Sequence, residues 1–383
     1  MIRPMFAACV IAGVASATPA RAADPIKVGA IFPLSGGAGR QGQEVVQAMQ
    51  AMAAIINGDG GVMGRQIEIV ARDDESTPAV GVAKANELAA MDVAVVIEGW
   101  NSPVTLAMQS ILARAGILDI TAISKADGIL ASASNPLAIR LNSSNASDAD
   151  VLVQHVAHTM KAGTMKAGRI GFVTQNDAYG NGAQQGIEAG FKKAGLSYEI
   201  ATTQKFPFAQ TDFRVEVTSL ADAKPDAVIV INANEGAGLP AFMQQYAQAK
   251  MAAPLICSVG TVSPSVIQTA GPAADGAVSA DIYFPDTEPF ASNPANQRFV
   301  SQMQQQFKVE PDKYMALGAG ALQVWAKTAN NLKSLDRKAV AEAIRGHAIP
   351  DTIFGDATFA ANGQLQSSYA VFTVKAGKMV IER

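Results

Sequence analysis

The chain has 383 residues, 49% of them hydrophobic and 16% charged, with 33 acidic side chains against 30 basic. That length and apolar content suffice for two domains with buried cores rather than one. A mildly acidic balance without basic runs argues against nucleic acid or an anionic membrane as partner.

The N-terminus opens with Arg3, an apolar stretch from Met5 to Ala17, and the small-x-small triplet Ala20-Arg21-Ala22. This reads as a secretory signal peptide over residues 1–22, with the mature chain starting at Ala23. The apolar run is about a dozen residues, too short for a bilayer core of ~30 Å, and no second long apolar run follows. An exported, soluble protein is expected, out of reach of intracellular ATP, NAD and DNA. Cys9 lacks the leucine that marks a lipidation site ahead of it and leaves with the signal. Cys257 then stands alone, so no intrachain disulfide forms. The mature chain keeps 28 basic residues against 33 acidic, a net charge near −5.

Beyond the signal, Ile26 to Phe32 reads as a buried strand, followed by a Gly-rich turn and a helix from Gln43 to Ile56. Strands are predicted at Arg65 to Ala71, Val93 to Ile97 and Ile117 to Thr121, with helices at Thr77 to Met91 and Pro103 to Ala115. Pro78 sits in the first turn of the former, where proline is tolerated. Strands apolar throughout, with helices between them, mean a parallel sheet covered on both faces.

The same alternation restarts after a polar break at Leu141 to Asn145. Helices are expected at Ser147 to Met160, Gly182 to Ala194, Asp212 to Ala221 and Gly236 to Ala249. Strands are expected at Arg169 to Thr174, Tyr198 to Thr203, Asp226 to Ile231 and Pro254 to Cys257. Two βαβαβ series in succession suggest two similar lobes. The tail carries helices at Asn296 to Phe307, Tyr314 to Asn330 and Arg337 to Arg345, then short strands at Ala357 to Phe359, Ser368 to Val374 and Met379 to Glu382.

Open parallel sheets bind ligands outside the carboxyl ends of their strands. The loops after Phe32, Ile97, Thr121, Thr174, Ile231 and Cys257 are therefore where functional residues are expected. The first holds Gly37-Ala38-Gly39-Arg40-Gln41-Gly42, which fits GxGxxG and raises a dinucleotide site, and with it an exported dehydrogenase, as an alternative. Against it, Pro33 to Gly36 lengthen the turn, and the acidic residue ending the next strand, Asp73, lies well beyond the usual ~20 residues. A flexible turn opening a helix is the plainer reading.

The second loop holds Trp100, Asn101 and Ser102, with Pro103 at the first helical position. Ser102 either caps its own helix or, with the orphan N–H groups and positive dipole end there, holds a ligand carboxylate. Asn101 is the second choice for that role, and Trp100 serves as an apolar wall or as plain packing. The third loop offers Ile123, Ser124 and Lys125, with the lysine read either as a solvated loop charge or as the partner of an anionic group. In the second series, Tyr179 can stack and hydrogen-bond. Glu235 lies in the loop opposite, and Thr261 follows Cys257 in Val259-Gly260-Thr261.

Catalysis finds no support: there is no G-x-S-x-G, no H-E-x-x-H and no Walker loop, and His155, His158 and His347 fall outside the strand-end loops. Neither a metal nor a cofactor is expected. Binding without chemistry is the better account.

Ile26-Lys27-Val28-Gly29, Pro33-Leu34-Ser35-Gly36, Gly60-Gly61-Val62-Met63-Gly64-Arg65, Asp73-Asp74-Glu75-Ser76-Thr77-Pro78 and Asp177-Ala178-Tyr179-Gly180-Asn181-Gly182 together resemble the leucine/isoleucine/valine-binding family of periplasmic solute-binding proteins that serve ABC importers. The resemblance implies a type I periplasmic binding protein: an α/β chain with two doubly wound parallel-sheet lobes, joined by a three-crossing hinge over a cleft. It implies one lobe from residues 23–142 and 278–348, a second from 143–277 and 349–383, and tail helices that return to the first. It also implies a periplasmic monomer that passes a branched-chain or other small amino acid, or a related carboxylate, to an ABC permease in the inner membrane. A receptor for an aromatic acid, amide or urea, or a ligand-sensing regulator of the same fold, is the alternative.

The family's carboxylate-binding serine falls on Ser102, helped by Ile123 to Lys125; its cleft tyrosine falls on Tyr179, and its first-loop contact near Gln41. Two departures stand out. The family's small disulfide loop would need cysteines near Ser76 and Asn101. The acid that pairs with the ligand ammonium is expected after Cys257, where Ser258-Val259-Gly260-Thr261 has no carboxylate. Either Glu235 or Asp177 substitutes, or the ligand is not an α-amino acid.

Overall fold

The apolar runs form two parallel sheets with helices on both faces of each. The computed structural model describes residues 24–131, 135–163 and 168–382; the expected signal peptide lies outside them. The first sheet comprises β1 (Ile26–Phe32), β2 (Ile67–Asp73), β3 (Val95–Glu98), β4 (Leu118–Thr121) and β5 (Ala138–Arg140), in the order β2-β1-β3-β4-β5. Helices α1 (Gly39–Gly58), α2 (Pro78–Ala89), α3 (Ser102–Arg114) and the single turn α4 (Gly128–Ala131) connect them.

After α5 (Asn145–Lys161), the second sheet takes β6 (Arg169–Gln175), β7 (Glu199–Phe206), β8 (Ala227–Ile231), β9 (Leu255–Cys257) and β10 (Val278–Asp281). Between them run α6 (Ala178–Lys193), α7 (Arg214–Ala223), α8 (Gly238–Gln248) and α9 (Pro264–Ala270). The tail supplies α10 (Pro294–Phe307), α11 (Lys313–Leu332), α12 (Arg337–Ile344), the hairpin β11 (Ala348–Thr352) and β12 (Gly355–Thr358), then β13 (Ala370–Lys375) and β14 (Lys378–Ile381). The second sheet runs β14-β13-β10-β9-β8-β6-β7, with the last two tail strands antiparallel at its edge. Its parallel part, β7-β6-β8-β9-β10, repeats the order of the first sheet. Each sheet therefore has its topological switch beside its first strand, which is where a ligand crevice opens.

Alternation along each strand divides the cores. Val28, Ala30 and Phe32 face a cluster that includes Val45, Met49, Leu317 and Leu322, whereas Ile31 faces Val104, Met108 and Leu112. Helix α11 can lie against α1 because it is rich in Gly and Ala. A Cβ on Gly318 would come within 2.5 Å of Val45 Cγ1. That contact draws the returning tail helix into the first lobe.

The tail departs from the expected division. Residues 278–281 form β10 and pair with β9 and β13 in the second sheet, not the first lobe. Residues 349–365 belong to the first lobe: Ile349, Ile353, Ala357, Phe359 and Leu365 are buried in its core. The chain therefore crosses between β5 and α5, between β10 and α10, and between Leu365 and β13. Strands β5 and β11, helices α4 and α9, and β10 were not anticipated. The first is three residues long, and Ser279 and Asp281 break the apolar run of the last. Among the described residues, no helix is long and apolar enough to cross a membrane.

Candidate functional site

Loops from the carboxyl ends of both sheets meet around a small, partly open cavity of about 20 Å³. The first lobe lines it with Trp100 and Ser102 after β3, Ile123 and Lys125 after β4, and Tyr314 near the start of α11. Asn142, in the first crossing, completes that side. The second lobe supplies Tyr179, Ala233, Glu235 and Thr261. Seven of the ten candidate residues thus come together. Gln41, Asn101 and Ser124 do not line the cavity.

Ser102 does not cap its helix. Asn101 occupies the N-cap without a side-chain bond, and its Oδ1 is buried without a partner. The Ser102 Oγ instead accepts the backbone N–H groups of Lys125 and Ala126, at 3.2 and 3.1 Å. Its hydroxyl hydrogen is left to donate at the positive end of α3. Ser124 turns inward to the Thr105 hydroxyl at 2.8 Å. Thr105 and Thr121 both donate to the fully buried Glu98 carboxyl. Burial, then the neighbouring Asp119, holds Glu98 well above the usual carboxylate range, and burial pushes Asp119 to about 7.

Lys125 is only 5% exposed, which rules out a solvated loop charge. Its Nζ donates across the cleft to Asp148 Oδ2 at 2.6 Å and to the Val259 carbonyl at 2.7 Å. Burial lowers its pKa, and the Asp148 carboxylate opposes that. Lys313 does likewise one residue further along, donating to the Gly260 carbonyl at 2.9 Å with its Nζ 3.9 Å from the Tyr314 ring centre. Two first-lobe ammonium groups therefore seat successive carbonyls of the second lobe.

Aromatic rings form the walls. Trp100 and Tyr314 lie with ring centres 4.8 Å apart, and the Tyr179 hydroxyl donates to Ser258 Oγ at 2.9 Å. Thr261 donates to the Ser258 carbonyl at 2.8 Å, which fixes the turn after β9.

Glu235 is the group with a free valence. It is 1% exposed, and its Oε1 faces the Tyr314 hydroxyl, whose single hydrogen is shared between that oxygen and the Gly260 carbonyl at 2.7 Å. Its Oε2 is buried and makes no hydrogen bond of good geometry, with the Ser263 hydroxyl close to the carboxyl. Burial pushes its pKa up to about 8, opposed by the Lys313 charge and by hydrogen bonding to Tyr314 and Ser263. Asp177, the other acid weighed for this place, is spent as the N-cap of α6, accepting the Gly180 N–H at 2.9 Å. It does not line the cavity.

Gln41 sits at the mouth, beside Gly236 of the opposite lobe. The Gly-rich segment that fits GxGxxG runs directly into α1, and a Cβ on Gly42 would lie 1.8 Å from the Pro33 carbonyl oxygen. That glycine packs the helix onto its own turn. His155 and His158 lie on α5 away from the cleft, with His155 Nδ1 3.4 Å from Glu382. No metal cluster is found among the described residues. Tyr314, Asn142 and Lys313 went unnoticed in the sequence because none follows a recognised strand. The N-cap Asp312, which accepts the Met315 N–H, was the available sign that a helix N-terminus begins there.

Two lobes of one strand order, closing an aromatic and polar cavity between them, define a type I two-lobed binding protein. The chain belongs to the periplasmic binding protein family, whose model matches residues 25–378. This is a family of solute-binding proteins rather than enzymes. Leu/Ile/Val-binding protein homolog 2 of Brucella abortus (strain 2308) is 26% identical over 357 residues, which cover 92% of this chain and 91% of that one. Homolog 1 of Brucella melitensis is 26% identical over 366 residues, covering 95% and 93%. Among solved structures, an ABC-transporter solute-binding protein of R. palustris in complex with benzoate is 25% identical, with a TM-score of 0.80 and coverage of 93% and 95%. The leucine-binding protein LivK of Thermotoga maritima shares the fold, with a TM-score of 0.80 at 22% identity and coverage of 94% and 98%.

Proposed function

We propose that the chain is the extracytoplasmic solute-binding subunit of an ABC importer, capturing a small α-amino acid between its lobes for an inner-membrane permease. In this reading it works as a periplasmic monomer, exported by the signal at residues 1–22. The observation that carries the ligand class is the unpartnered Glu235 Oε2 in the cavity wall. A buried carboxylate oxygen left bare is costly, and a ligand ammonium satisfies it with a charge-assisted bond. The carboxylate end goes to the Ser102 hydroxyl at the start of α3, with the Lys125 charge behind it. Trp100, Ile123, Tyr179 and Tyr314 would wall the side chain once the lobes part to admit it, since the space between them as they stand, about 20 Å³, has room for little more than a water. A few such bonds with lobe burial support micromolar binding, about −8 kcal/mol. The names of the Brucella relatives agree with a branched-chain ligand.

A second reading, an aromatic acid, draws on the Trp100–Tyr314 pair and the benzoate bound by the R. palustris relative. Calorimetric titration of the mature protein with leucine, isoleucine, valine, benzoate, amides and urea separates the two. Micromolar binding of an amino acid supports the first; binding of benzoate alone sinks it.

A further inference from the structure

The two sides of the cleft close differently. On the hinge side, Lys125 and Lys313 reach over with long, adjustable side chains. At the mouth, the contact is backbone on backbone. Gly37, after β1 in the first lobe, meets Gly236, between β8 and α8 in the second. A Cβ on Gly236 would lie 2.3 Å from the Gly37 carbonyl oxygen, and 3.1 and 3.2 Å from the Gln41 amide atoms. Around that point, Phe208 of the second lobe packs against the first-lobe core, and its carbonyl accepts Asn234 Nδ2 at 2.9 Å. A carbonyl oxygen held by an ordered helix start gives way poorly, unlike a flexible side chain.

We propose that Gly236 is a closure-determining residue: its lack of a side chain lets the mouth shut on the first lobe, and through closure it sets how tightly the cleft holds its ligand. The requirement is steric and not conformational. Gly236 is not among the residues with positive φ, so its backbone accepts alanine without strain. A methyl group there needs roughly 1 Å more room before its contact with Gly37 becomes ordinary. The overlap exists only when the lobes meet, so the separate lobes fold as before. Gln41 acquires a role from this geometry too. Its amide flanks the contact and has a buried Oε1 without a partner, so it shapes the mouth and does not touch the cavity.

The contact is lopsided, and that supplies the control. A Cβ on Gly37 would find only the Asn234 amide, at 3.5 Å, an ordinary contact. Gly37 also lacks a positive φ. The two alanine variants therefore change the same contact from opposite sides, and only one obstructs it.

This inference rests on the reading that the ligand is held between the lobes. Its test compares the mature wild-type chain, Gly236→Ala and Gly37→Ala by small-angle scattering and by calorimetry with L-leucine. Gly236→Ala is expected to show a larger radius of gyration than the other two, an unchanged melting temperature, and leucine binding weakened about tenfold, within what over-packing typically costs. Most of the loss should appear as faster release. Gly37→Ala should stay within about twofold of wild type. A Gly236→Ala protein as compact as wild type overturns the inference, as does equal weakening by both variants. Scattering needs no ligand: if leucine binds none of the three, the proposed ligand class fails while Gly236 is still judged by compactness.

Discussion

The two lobes share a strand order but bring unlike chemistry to the cleft. Among the cavity-lining residues of the first lobe the polar groups are committed: Ser102 Oγ takes two backbone N–H groups and the Lys125 ammonium is held by Asp148 and Val259, while the unpartnered Asn101 and Gln41 oxygens lie outside the lining. In the second lobe, Glu235 keeps one oxygen bare. In the proposed reading, topology locates the site in both lobes alike, whereas the choice of ligand charge falls to a single second-lobe carboxylate. The first lobe works as the built floor and the second as the selective wall.

Breaking the floor should cost the most. Lys125→Met leaves Asp148 buried with only the Tyr369 hydroxyl at 3.2 Å, so unfolding in urea should show a loss of about 3 kcal/mol. A loss below 1 kcal/mol would mean the ion pair is not a structural part of the floor. Removing the wall's charge comes next. Glu235→Gln should weaken an amino acid about a hundredfold, as expected when one partner of a buried charge pair is lost. The same change should not lower the melting temperature of the ligand-free protein, because it removes a carboxylate that burial disfavours. Unchanged affinity would show that the ligand lacks an ammonium group.

Ser102→Ala sharpens the comparison further. It deletes a donor to the ligand and also strands two N–H groups, so affinity should fall about tenfold while the melting temperature drops a few degrees. A purely thermal effect would make Ser102 a tether for the loop after β4 and nothing more.

The lobes' buried acids add a slope with pH. Burial holds Asp119, together with its neighbour Glu98, well above the value of about 3.9 expected for aspartate in an unfolded chain. The folded state therefore holds a proton that the unfolded state releases above pH ~4, and stability should decline as pH rises from there toward 7. Asp74, raised by burial to about 6, acts in the same direction. Melting temperatures from pH 4 to 8 should fall less steeply in Asp119→Asn, and an unaltered slope would remove the first-lobe acids from the account.

Much of this was legible in the residues. Apolar strand runs with helices between them gave the parallel lobes, and the strand-end rule led to Trp100, Ser102, Lys125, Tyr179, Glu235 and Thr261, all in the cavity wall. The rule says where a loop lies and not which way its side chains turn, so Ser124 and Asn101, neighbours of lining residues, point elsewhere. Tyr314 and Lys313 come from a helix start more than fifty positions from the Gly260 carbonyl they share, and periodicity carries no such pairing. The second crossing was expected at 277/278, before β10 and not after it, because a short strand containing Ser279 and Asp281 does not read as buried. Gly236 gave no sign, since its importance depends wholly on what faces it across the mouth.

The central claim is that Glu235 receives a ligand ammonium, and proton linkage tests it most directly. With a pKa of about 8 before binding, Glu235 is largely protonated at pH 7, and an ammonium beside it favours the ionised form. Calorimetry of amino-acid binding at pH 7, in two buffers of different ionisation enthalpy, should therefore show release of roughly one proton per ligand, absent in Glu235→Gln. Binding with the same heat in both buffers would contradict the account.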